Sequence, residues 1–194
     1  MVTKMQDLNK TAHKILDVAE RYTQTNGFNA FSYKDIQNEV GVKTSSIHYY
    51  FPTKQDLAMT MVQRYVERFT ETLNLIEAEE QNGFARLKRL GQGHKSLVEE
   101  GKFCMCGMMA SDMLSLPDNV KKQLSDFFDL SQEWIARAID LAKQQGQLRD
   151  SIHVKCASMH FLASLEGGML VARVKDDPQY LQDIIDEALA QLAR

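Results

Sequence analysis

Residues 31–54 read FSYKDIQNEVGVKTSSIHYYFPTK, two short helical patterns joined by a glycine turn. Ser32 is placed to be an N-cap, and Asp35 three residues on completes a capping-box spacing. Ile36 and Val40 fall one turn apart on one face. Gly41 follows where a helix must stop, because glycine enters positive φ without steric cost. Val42 plugs the turn. A second helix of about two turns is predicted from about Thr44, with Ile47, Tyr50 and Phe51 at inward spacing. Pro52 ends it, since the residue before proline is pushed out of the α region.

The outer face of this second helix carries Thr44, Ser45, Ser46, His48 and Tyr49, and no carboxylate. A solvated helix face usually mixes both signs of charge. Hydroxyls, an imidazole and a phenol suit phosphate oxygens and base edges, which accept hydrogen bonds and repel carboxylates. Thr53 and Asp56 repeat the capping-box spacing, and Lys54 sits in the first turn of the helix they open, where N–H groups favour an anion. Thr44, Ser45, His48, Tyr49, Tyr50 and Lys54 are expected on phosphates, with Ser46 and Tyr49 nearest base edges. Tyr33 is expected either to reach a phosphate or to lie partly buried. The pattern also fits an ordinary helical corner with a polar rim.

GVKTSSIHYYFPTKQDL, residues 41–57, resembles the helix-turn-helix signature of the TetR family of bacterial transcriptional regulators. The resemblance covers roughly Lys10 to Leu57. It departs at Lys43, where the family usually has serine, and at His48, where it usually has tyrosine. GKFCMCGMMASDMLSLP, residues 101–117, resembles a segment of one branch of that family. The resemblance implies a homodimer that reads a palindromic double-stranded DNA operator, a repressor released by a small hydrophobic effector, and a last helix pair that packs with its two-fold mate. It also implies that the helix after Lys54 works as a lever between effector and DNA.

Length and composition agree. The chain has 194 residues, enough for a sizeable core, and a net charge of −3, so any attraction to nucleic acid must be local. Up to Leu57 seven basic side chains face six acidic ones, a weak bias. Affinity must then come from a shaped surface and two-fold repetition. No apolar run approaches the roughly 20 residues of a membrane span, and no charged-then-apolar leader is read, so no membrane partner and a cytoplasmic location are expected. Three cysteines leave no complete disulfide framework. Three prolines, ten methionines and pervasive helical periodicity predict an all-α fold. The expected division is a three-helix DNA-binding module over 1–54, with its recognition unit at about 31–50, and a helical ligand-binding and dimerisation domain over 55–194.

Around this core the chain reads as successive helices. Met1 to Asp7 is expected as an arm. Leu8, Ala12, Ile15, Ala19 and Tyr22 mark an amphipathic first helix. One long helix is predicted from Lys54 to Glu80. A further helix follows Gly83, loosened by Gly91 and Gly93. Lys102 to Leu116 reads as an enclosed helix, apolar nearly all round. The last three helices are expected over about 117–146 and 152–174 and from Asp177–Pro178 onward. Ala163 and Gly167, with Leu181, Ile185 and Leu189, are the expected dimer interface.

The enclosed Met-Cys helix and its neighbours predict a pliable apolar pocket lined by Phe103, Met109, Met113, Phe127, Trp134 and Phe161. Core packing is the competing role for each. Trp134 stands out because its indole N–H wants a partner that a ligand can supply. Cys104 and Cys106 point to nearly opposite sides of a helix, so they cannot bridge without local unwinding, but either is a candidate thiol sensor, with Lys102 and the helix N-terminus just after Gly101 as sources of positive charge. Thiol or electrophile sensing, or helical binding without DNA activity, is therefore the rival function. His153, Cys156 and His160 share one helix face but lack a fourth ligand, so no metal is expected. No cofactor loop, nucleophile elbow or zinc-protease motif is present, and no enzyme or cofactor is expected.

Overall fold

The computed structural model describes residues 9–194; the predicted arm and Leu8 lie outside them. Nine helices form among the described residues: α1 (Lys10–Asn26), α2 (Tyr33–Val40), α3 (Thr44–Tyr50), α4 (Lys54–Glu79), α5 (Gly83–Glu99), α6 (Met105–Ser111), α7 (Asp118–Gln144), α8 (Val154–Lys175) and α9 (Pro178–Leu192). Short 3-10 turns occupy Phe28–Ala30 and Met113–Ser115. The fold is all-α, with one isolated bridge between Leu148 and Ala193.

Contacts divide the chain into two compact units. The first holds residues up to 68 together with 104–127, and the second 69–103 with 128–194. This division does not follow the expected 54/55 boundary. The first half of α4 and the Met-Cys segment from Cys104 onward belong with the helix-turn-helix.

In the first unit, Asn9 caps α1 by accepting from the amides of Thr11 and Ala12. Ala12, Ile15, Leu16 and Ala19 are fully buried. α1 is tied to α4 through Arg64, which meets Asp17 at 2.7 Å and Glu20 at 3.0 Å. Arg68 pairs with Glu20 as well. Arg64 and Glu20 are buried, and each keeps a second partner, Asp17 for Arg64 and Arg68 for Glu20, so the four side chains form one network between the two helices.

The expected helix over Lys102–Leu116 is corrected to the seven residues of α6. Gly101 takes φ 70°, and Asp112 ends α6, its carbonyl accepting from both the amide and the hydroxyl of Ser115 at 2.9 and 2.8 Å. Leu114 is fully exposed rather than enclosed. An apolar composition marks burial on average but not where the ladder of helical hydrogen bonds breaks.

In the second unit α9 packs on α8 and α5. Gly91 and Gly168 permit this closeness, and Gly83 permits that of α5 to α7. A Cβ at Gly83 would sit 2.3 Å from the Ala138 carbonyl oxygen, one at Gly91 2.9 Å from Ile185, and one at Gly168 2.8 Å from Leu181. Gly91 therefore serves close packing within an unbroken α5 and does not loosen it. The chain end is fastened by Arg149, whose Nε donates to the Ala193 carbonyl at 2.7 Å.

Gly83→Ala is expected to lower stability by about 1–3 kcal/mol, because backbone cannot yield as a side-chain tip can. Gly93→Ala meets open space inside a helix and is expected to gain about 0.5–1 kcal/mol. Urea midpoints at fixed protein concentration check both.

Candidate nucleic-acid interface

α3 is two turns long, too short to persist alone in water. Its inner side supplies the fully buried Ile47 and, just beyond it, Phe51 at 1 % exposure. α2 delivers Ile36 to the same core and ends at Gly41, whose left-handed φ of 76° turns the chain. The capping box of Ser32 and Asp35 forms as its spacing predicts, with the Ser32 amide donating to Asp35 at 2.8 Å. Thr53 and Asp56 do the same for α4, at 3.0 Å.

Two side chains brace α3 from behind. The Tyr33 hydroxyl lies 2.8 Å from the Phe51 carbonyl and 2.6 Å from that of Thr53, sharing its one proton between them. Burial, and then the charge of Asp56, pushes its pKa well up, so it remains a donor. Lys54 donates to the carbonyls of Phe28 (2.6 Å) and Phe31. Its ammonium also sits 4.7 and 4.3 Å from the centroids of those two rings. Burial lowers the Lys54 pKa, opposed by the charges of Asp112 and Asp35. Of the two expectations for Tyr33 the partly buried one describes its position, with its proton engaged on protein carbonyls, and Lys54, expected on a phosphate, has two ammonium protons engaged on carbonyls.

The rest of α3 faces outward. Ser45, His48 and Tyr49 are exposed, Tyr49 to 80 %, while Thr44, Ser46 and Tyr50 are half-buried. The Thr44 hydroxyl donates to Gln37. The Tyr50 hydroxyl accepts from Asn9, so its own proton stays available. His48 Nδ1 lies 3.0 Å from the Pro52 carbonyl. A carbonyl only accepts, so Nδ1 carries the proton, and a neutral ring presents Nε2 as an acceptor. That suits an amino group on a base edge better than a phosphate oxygen.

The module is less neutral in function than in composition. Asp17 and Glu20 pair with arginines of α4, Asp35 and Asp56 sit in capping boxes, and Glu39 pairs with Arg21. Lys34 and Lys43 are exposed and enter no ion pair among the described residues. The sequence reading passed over both because it counted charges without knowing which acids were engaged.

The N-terminal family model described as bacterial regulatory proteins, tetR family, matches residues 15–59. The model described as tetracyclin repressor-like, C-terminal domain, matches 83–188. The chain belongs to the TetR family. It is similar to an uncharacterised HTH-type transcriptional regulator of Lactococcus lactis, at 23 % identity over 94 % of this chain and 93 % of that one. A TetR-family regulator from Agrobacterium tumefaciens superposes with TM-score 0.91 at 26 % identity, covering 95 % of this chain and 98 % of the other. One from Legionella pneumophila gives 0.85 at 29 %, covering 96 % and 99 %. As a TetR-family member the chain is a DNA-binding transcriptional regulator and not an enzyme.

The TetR-family fold divides the six expected ligand residues between the units. Met109, Met113 and Phe127 lie in the first and Phe103, Trp134 and Phe161 in the second. All are buried except Met113, which is half-buried on a 3-10 turn. Phe161 alone of the six lines the cavity of about 580 Å³ between α8 and α9, together with His153, Cys156, His160 and Ala163. Among the described residues no group of three His, Cys, Asp or Glu side chains could hold a metal ion.

Cys104 and Cys106 are buried; Cys104 caps α6, its Sγ 3.5 Å from the Gly107 amide and 3.9 Å from the Tyr65 hydroxyl. Lys102, the expected source of positive charge, pairs with Glu100 at 2.6 Å.

At the expected dimer face, Leu181 and Ile185 are corrected to protomer core, packed on Gly168 and Gly91. Leu189 is half-buried, and Ala163 and Gly167 are exposed. Met159, Leu170 and Val174 join these two in one exposed stripe along α8. The sequence reading missed those three by seeking the interface in the widest apolar stripe, which is the one α9 buries.

Tyr33→Phe is expected to lower stability by about 1 kcal/mol and to leave the salt dependence of duplex binding unchanged. Lys43→Gln is expected to preserve stability and to reduce the slope of log affinity against log salt by about 0.9. Thermal melts and titrations of a mixed-sequence duplex over a salt series read both.

Proposed function

We propose that this TetR-family regulator is a homodimeric, cytoplasmic repressor that reads a palindromic operator and is released by a small hydrophobic effector. The observation that carries the reading is the exposed face of α3, with Ser45, His48 and Tyr49 and no carboxylate. Ser46 and Tyr49 lie nearest the bases, with His48 accepting from a base amino group. The amides at the start of α3, Tyr50 and the two exposed lysines meet phosphates.

The α8 stripe of Met159, Ala163, Gly167, Leu170 and Val174 supports the dimer. Large apolar side chains left in water along a helix with small residues between them favour close approach of a second copy. Two copies then present two α3 helices about 34–36 Å apart, one DNA turn. No helix among the described residues is long and apolar enough to cross a membrane.

Release has a physical route inside the first unit. Met109 lies in the buried face of α6. Just beyond α6, Asp112 accepts from the Asn29 amide at 3.4 Å, and Ser115 accepts from the Asn29 side chain at 3.0 Å. Asn29 belongs to the turn whose flanking carbonyls hold Lys54. A ligand pressing on α6 therefore shifts the support of α3. It does so only by as much as it prefers the shifted state.

Selection from a randomised duplex pool at two salt concentrations tests this reading. An enriched palindrome with half-sites one turn apart and a steep salt dependence is expected. A folded protein that enriches no sequence at low salt contradicts it.

A further inference from the structure

Along the exposed seam between α8 and α9 the titratable side chains are sorted to opposite ends. One end is the hollow of about 580 Å³ that holds His153 and His160. The other is a hollow of about 340 Å³ lined by Asp183 and Glu187. Ser164, Ala188 and Gln191 line both, so the two form one continuous surface. All four titratable side chains are exposed. The imidazoles enter no hydrogen bond or ion pair among the described residues. Asp183 and Glu187 accept from Gln179 and Gln191, at 2.9 Å each, and pair with no cation among the described residues. Lys175 lies instead over the ring of Tyr180 at the acidic end, 5.2 Å from its centroid. Ala163 belongs both to the histidine hollow and to the exposed stripe of α8. A second copy that covers the stripe therefore covers the seam as well.

A two-fold interface is isologous, so the direction of its axis decides which ends meet. With the axis running along α8, the histidine ends of the two copies meet each other and carboxylates face carboxylates. Like charges opposed across an interface are costly. With the axis running across α8, the helices reverse direction and each histidine end meets an acidic end. Imidazoles and carboxylates that lack charged partners within one protomer then find them in the other, twice over.

Resting on the homodimer proposed above, we infer that the second copy lies antiparallel across the α8–α9 seam, with His153 and His160 of one copy set against the partner's Asp183 and the partner's Glu187. The apolar stripe supplies the burial. The sorted charges supply the orientation and the choice of partner, because a chain without this order of charges opposes like with like or leaves the imidazoles unpaired.

A charge swap tests the orientation rather than the mere presence of charge. The swapped chain carries His153→Glu, His160→Glu, Asp183→Lys and Glu187→Lys. In antiparallel seating both homodimers match opposite charges, whereas the dimer of wild-type with swapped chain sets carboxylate against carboxylate and histidine against lysine. Homodimers are expected to outnumber mixed dimers about fivefold, where random mixing gives equal numbers. Native mass spectrometry after subunit exchange reads the ratio. An excess of mixed dimers shows like ends together and overturns the inference, as does random mixing. His153→Glu with His160→Glu alone is expected to weaken dimerisation about tenfold, and adding Asp183→Lys with Glu187→Lys to restore it. A failure to restore it, in a chain whose helical content is unchanged, also overturns the inference. A wild-type chain that stays monomeric contradicts the homodimer reading itself. A wild-type dimer that does not sort leaves that reading standing and removes only the antiparallel seating.

Discussion

The ammonium of Lys54 holds the carbonyls of Phe28 and Phe31 and lies over both rings, and the DNA-reading surface depends on it. α3 has too few residues to be a helix by its own propensity. It borrows order from Ile47 and Phe51 below, from Tyr33 behind, and from the start of α4, which Lys54 anchors to the turn after α1. Charge-assisted bonds of this kind are among the stronger ones available to a small module. They fix position as much as stability, and position is what a groove-reading helix requires.

That anchoring also bears on how signals reach DNA. The Met-Cys segment belongs to the same compact unit as the helix-turn-helix, and its end touches Asn29 beside the carbonyls that Lys54 grips. α4 was expected from family resemblance to be the lever. Within the first unit there is a shorter connection, from α6 through Asn29 to the base of α3. Cys104 and Cys106 are buried and Lys102 is engaged by Glu100, while the other expected source of activating charge, a helix N-terminus, is met at Cys104, which caps α6.

Much of this was legible in the sequence, for physical reasons that can be named. Capping boxes at Ser32 and Thr53, the left-handed Gly41 and the Asp177–Pro178 helix start are local chemistry, so spacing alone revealed them. The inward residues Ile36, Ile47 and Phe51 followed from periodicity. What the sequence concealed was the direction of long polar side chains and the partner of each apolar stripe. Lys54 at a helix start reads as an anion ligand until its neighbours are seen to be carbonyls. Leu181 and Ile185 read as interface until Gly168 and Gly91 are seen to receive them. Met159, Leu170 and Val174 stood out only by exposure, which periodicity cannot supply for a helix apolar on several sides.

Hydrogen exchange of the α3 amides, compared between the wild-type protein and Lys54→Met without DNA, tests the dependence of the recognition helix on its anchor most directly. The methionine keeps the apolar stem over Phe28 and Phe31 and removes the donors. Loss of protection across residues 44–51, with α8 and α9 unchanged, is the expected result. An α3 that stays as protected in Lys54→Met as in the wild type would contradict it, and would place Lys54 on the DNA rather than beneath the helix that reads it.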